Sequence, residues 1–148
     1  MLTGMRAFPV GLAMTLSVRS RVRTRRFDLN DGLFGEPPRH DDDGQWARDR
    51  LKWGFEFADG RRATNVGARV PWSGGSDLPS HPVLSGGGGG GGPQAADRDY
   101  WLWPLPPPGP LRVVCQWPAY GIDQTSHELD GEMLAAAASR AVPIWPGT

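Results

Sequence analysis

Few side chains in this sequence have the types and spacing that chemistry needs. Cys115 and His127, with Asp123 or Glu128 close by, could combine a thiol nucleophile, a base and an orienting acid. Cys115, however, falls on the apolar parity of the run 111–117, where a free cysteine behaves as a small buried hydrophobe. An activated thiol needs an exposed, electropositive setting. His40-Asp41-Asp42-Asp43 offers imidazole and carboxylate ligands. Calcium loops space their ligands at alternate positions around a central glycine, and this run does neither. It reads as a solvated acidic loop, and no metal site is expected. The glycine run 86–92 could cradle phosphate only between a strand and a helix, with Lys and Ser or Thr behind it. Pro93-Gln94-Ala95 follows instead. A flexible surface loop is expected there, and no cofactor.

Arg19, Arg21, Arg23 and Arg25 share one parity. On a strand they would form a ladder able to contact an anion or a carboxylate-rich partner. The plainer reading is a solvated edge. The second group is aromatic: Trp101, Trp103 and Tyr120 accompany Pro106, Pro107 and Pro108. Large aromatics dominate both cores and interface hot spots, and with 7 Trp in 148 residues some must reach the surface. Exposed proline runs also dock into aromatic grooves. Trp53 and Trp117 are expected in the core. Trp101, Trp103, Pro106, Pro107, Pro108 and Tyr120 are the expected contacts for another protein or a second copy.

Strands must position these groups. Leu12, Met14, Leu16, Val18 and Val22 alternate with Ala13, Thr15, Ser17 and the arginines through residue 25, the period of a half-buried strand. Phe8-Pro9-Val10-Gly11 reads as a type I turn with a glycine bulge, so residues 2–8 supply the partner strand. Leu51, Trp53, Phe55 and Phe57 alternate with Lys52, Gly54 and Glu56. Asp59-Gly60 then predicts a two-residue type I′ turn, which would put Arg62, Thr64 and Val66 on the aromatic face. Segments 100–105 and 111–117 read as two strands joined by a stiff proline connector, with Pro104 ending the first. Residues 122–129 could form one more strand. Asp130 should cap a helix over 131–141 with Met133, Leu134, Ala137, Ala138 and Ala141 on its packed side, and Trp145 should dock on the body. Segments 28–50, with a helical turn near Trp46, and 70–96 read as internal loops.

The expected architecture is one mainly β domain over 1–148. It is an antiparallel, immunoglobulin-like β-sandwich of about seven strands with a short C-terminal helix. Composition narrows its role. With 16 basic and 16 acidic residues the formal charge is zero, which removes the electrostatic case for nucleic acid or an anionic membrane. One cysteine allows no intrachain disulfide and no zinc site with several thiolates. No stretch nears the ~20 apolar residues of a membrane span, and no secretory leader is apparent, so cytoplasm is the default location. Lys52 is the only lysine. The abundance of Ala, Gly, Pro and Arg reads first as GC-rich coding.

The segment Trp101-Leu102-Trp103-Pro104-Leu105-Pro106-Pro107-Pro108-Gly109-Pro110-Leu111 precedes Cys115, Trp117-Pro118, Gly121-Ile122, Thr125, Glu128 and Asp130. This pattern resembles the signature of a group of uncharacterised actinobacterial proteins, which is similar also over 2–8 and 54–62. That group carries Glu where this chain has Gln116. The resemblance implies a shared fold and no particular activity. It also implies a start upstream of Met1, because Leu2 falls inside a strand without a lead-in. A non-enzymatic, partner-binding sandwich is the leading expectation. An enzyme or small-ligand binder using Cys115, His127 and nearby acids is the alternative.

Overall fold

A computed structural model describes residues 1–21, 29–34, 44–66 and 78–145. In chain order they form β1 (Leu2–Phe8), β2 (Gly11–Arg19), α1 (Leu29–Phe34), α2 (Gln45–Asp49), β3 (Lys52–Glu56) and β4 (Arg62–Thr64). These are followed by β5 (Val83–Gly91), β6 (Ala95–Trp103), β7 (Pro110–Trp117), β8 (Ile122–Asp130) and α3 (Gly131–Ala138). Two antiparallel sheets result, with orders β1-β2-β6-β5 and β4-β3-β7-β8. Lettered A, B, C, C′, D, E, F and G along the chain, they are ABED and C′CFG, the immunoglobulin-like arrangement. The eighth strand beyond the seven expected is β5.

Alternation puts one apolar row of each strand into the space between the sheets. Leu12, Met14 and Leu16 of β2 and Ala96, Tyr100 and Leu102 of β6 face Trp53, Phe55, Phe57, Leu111 and Trp117 of the second sheet, all buried. Trp53 and Tyr100 meet edge-to-face across the sandwich, with ring centroids 4.7 Å apart. That geometry suits the quadrupoles of two aromatic rings. The expected core roles of Trp53 and Trp117 hold. Trp117 also donates its indole N–H to the Asp49 carbonyl at 2.7 Å, fixing the end of α2 to β7. Leu29 and Leu33 of α1 join the same core.

Several local expectations need correction. The 12–25 strand ends at Arg19. Residues 86–91, expected in a loop, belong to β5 and pair with β6, with a register shift between Gly86 and Gly89. Pairing there rests on the backbone, which glycine supplies as well as any residue. The turn after β3 is not type I′, because Asp59 has no positive φ. Gly60 N donates to Phe57 O at 2.9 Å, Phe57 N donates to Arg61 O at 2.8 Å, and Gly60 has φ +83°. This is a three-residue loop with a glycine bulge. The extra residue shifts the return strand by one, and a one-residue slip turns every side chain over. Ala63 therefore faces the core opposite Phe55, while Arg62 and Thr64 face solvent.

At the C-terminus Asp130 caps α3 as expected. Its carboxylate accepts from Glu132 N and Met133 N. The helix stops at Ala138, and Leu134 and Ala138 are its buried side chains. Met133, expected on the packed side, is exposed, and Trp145 remains 73% exposed.

Candidate functional site

The outward row of the first sheet holds most of the sequence candidates. β6 turns Ala96, Tyr100 and Leu102 inward, so Asp97, Asp99, Trp101 and Trp103 face out. Trp101 pairs with Ala13 of β2 and Ser85 of β5, and Trp103 pairs with Val83. Both indoles are half-buried. Trp101 lies over Gly11. A Cβ at that glycine would come 2.7 Å from the indole and 2.4 Å from the Leu102 carbonyl. Gly11 thus serves close approach, and its φ is not positive as the expected bulge would require. The Phe8 ring packs on Trp101, with centroids 5.7 Å apart and planes tilted by 48°. Phe8 is 38% and Val10 60% exposed, so an apolar cluster stands open to solvent at the β1–β2 turn.

The opposite end of this face is polar. Thr15 Oγ1 donates to Asp99 at 2.7 Å. The Arg19 guanidinium sits 3.0 Å from Asp97 and also donates to the carbonyls of Val18 and Ala96. Hydrogen bonds from Arg19, then Ser17, hold the Asp97 carboxyl below its usual range. Arg19 is therefore tied into the sheet rather than held ready for a ligand. Arg21 lies beyond the strand, where its carbonyl accepts from Gln94 Nε2. Arg23 and Arg25 lie outside the described residues, as do His40, Asp41, Asp42 and Asp43.

The proline contacts divide. Pro106 is among the fully buried side chains, Pro107 is half-buried and only Pro108 is exposed. The end of the connector meets α3: Gly131 N donates to Gly109 O at 2.9 Å, and a Cβ on Gly131 would come 2.2 Å from that oxygen and 3.1 Å from Pro107 O. The connector is thus tied to the start of the helix through its backbone. Tyr120 is remote from this cluster. It follows β7 at the far end of the sandwich and packs on Trp117, ring centroids 4.4 Å apart.

The alternative site is not assembled. Cys115 faces inward on β7, half-buried, with its sulfur 3.3 Å from Thr125 Oγ1. His127 stands opposite Val113 and is exposed. The hydrogen-bond partner of the thiol is thus a hydroxyl two residues away from the imidazole on the same strand. Among the described residues no group of three His, Cys, Asp or Glu side chains could hold a metal, and no helix is long and apolar enough to cross a membrane.

Phe8, Val10 and Gly11 were not candidates in the sequence. The turn signal placed them at the surface, but only the β2–β6 register puts them beside Trp101. No family model, curated protein or solved structure matches the chain. The class defined here is an immunoglobulin-like sandwich with an aromatic outer face, resting on strand order and side-chain placement alone.

Proposed function

We propose that this is a non-enzymatic domain that binds another protein through the outer face of the β1-β2-β6-β5 sheet. One observation carries the reading. Trp101 and Trp103 occupy outward positions that a solvated sheet face gives to polar residues, and exposed Phe8 packs on Trp101, with exposed Val10 in the adjoining turn. Indoles half-buried by their own chain lose little freedom on binding and can bury the rest of their area. Arg6 and Asp99 supply a polar rim.

The experiment is affinity capture from the native host with the intact chain as bait, beside a Val10→Asp/Trp103→Ser variant. Neither side chain belongs to the inter-sheet core, so the melting temperature of the variant should stay near that of the parent. The expected result is a defined partner held by the parent and lost from the variant. Capture of the same proteins by both would refute the surface. A chain that retains only its own copies would assign the face to self-association instead.

A further inference from the structure

The second sheet has a different outer face, and we infer that it holds a binding site for a small organic acid, its carboxylate taken by Lys52. The cross-strand register builds the site row by row. One row is Arg62, Glu56 and Arg112, with Glu128 beyond. The next is Thr64, Gly54 and Val114. The third is Lys52 and Gln116. The middle row is low and the outer two are tall, so a cleft of about 260 Å³ crosses the strands, closed at its sides by Val66 and Gln124. That volume equals about nine waters, the size of a short organic acid.

The low middle row follows from packing. A Cβ on Gly54 would lie 2.3 Å from the Ala63 carbonyl and 2.9 Å from Thr64 Cα. β4 approaches too closely for any side chain there, with the Thr64 methyl also 2.9 Å from that position, so the row carries no long side chain. The charged wall is satisfied within itself: Glu56 Oε2 accepts from Arg62 at 2.8 Å and Oε1 from Arg112 at 3.0 Å. The opposite wall is not. Among the described residues Lys52 makes no ion pair, and Gln116 and Gln124 make no side-chain hydrogen bond. Lys52, itself half-buried, therefore shares the cleft with two amide side chains and is left to receive an acceptor.

The ligand class follows from charge and shape. Among the lining side chains Lys52 and Arg62 outnumber Glu56, so the cleft favours an anion. The strip of Gly54, Val114 and Val66 suits a short aliphatic body. Among the described residues the aromatics that border the cleft, Trp53 and Phe55, turn their rings into the core rather than towards a ligand. Lys52 is also the only basic position in the chain not filled by Arg, and it presents a compact point charge rather than a planar fork. The site lies on the other side of the sandwich from Trp101 and does not depend on the partner-binding reading.

The test is titration of the ¹⁵N-labelled intact chain with glutarate at constant ionic strength, followed through backbone amide shifts. Saturable shifts are expected at Lys52, Gly54, Val114 and Gln116. Lys52→Gln should weaken binding about tenfold or more, the loss that follows removal of a charged hydrogen-bond partner. Arg19→Gln, on the other sheet, should leave it unchanged. Three results would overturn the site: no saturable shift, shifts undiminished in Lys52→Gln, or equal affinity for inorganic phosphate, which marks unspecific anion screening.

Discussion

The two outer faces of the sandwich obey the same alternation and carry opposite content. On the first sheet the outward row ends in Trp101 and Trp103, with Phe8 packed beside them. On the second it reads Lys52, Gly54, Glu56 on β3 and Arg112, Val114, Gln116 on β7. The inner rows are interchangeable in kind, because any close-packed apolar set fills the space between the sheets. The outer rows owe nothing to that requirement. On the proposed readings, one would bury area against a large partner and the other would hold a small charged one. Glycine marks both: Gly11 lets the Trp101 indole lie over the sheet, and Gly54 lets β4 come close to β3.

The comparison can be broken at several points. Phe55→Ala removes an inner aromatic that is 2% exposed and should cost about 3–5 kcal/mol in denaturant melts. Trp103→Ser should cost much less. If the two losses were equal, the outer indole would be core and the distinction between rows would fail. Gly54→Ala should come next, at about 1–3 kcal/mol, because backbone rather than a flexible side chain blocks the new methyl. Asp130→Ala removes the two hydrogen bonds at the start of α3 and should cost about 1 kcal/mol. Gly90→Ala sharpens the contrast among glycines. Nothing lies within 4 Å of its Cβ and its φ is not positive, so alanine should raise stability by about 0.4–1 kcal/mol.

The smallest effect is on pH. The folded carboxyl of Asp97 titrates below its unfolded value. Its contribution is thus present above the unfolded carboxylate range, near pH 3.9, and disappears as pH falls through the lower folded value. Asp97→Asn should lower stability slightly at neutral pH and leave it unchanged below the folded value, so that the acid limb of the stability curve flattens a little. The pair is solvent-exposed, so a large effect at pH 7 would show that this end of the face is more enclosed than it is here.

Alternation made much of the fold legible. Leu12, Met14 and Leu16, the aromatics from Trp53 to Phe57, and Leu111 with Trp117 all face inward as their parity requires. β5 was not legible, because six glycines in a row carry no period. The face of β4 was misread because Asp59-Gly60 fits both a two-residue and a three-residue turn, and the side chains invert between them. The backbone tie between Gly109 and Gly131 joins positions more than twenty residues apart. The cleft at Lys52 depends on four strands lying side by side, and no local window contains it. Trp101 and Trp103 were readable as candidates from residue type, whereas their companions Phe8 and Val10 needed the register.

The central claim is that the outward indoles are a contact surface while the inward ones are core. Hydroxyl-radical footprinting of the chain, free and bound to its captured partner, measures this side chain by side chain. Trp101 and Trp103 are expected to be oxidised in the free chain and protected in the complex, with Trp53 and Trp117 unmodified in both. Trp101 and Trp103 oxidised equally in the free and bound chain would contradict the account.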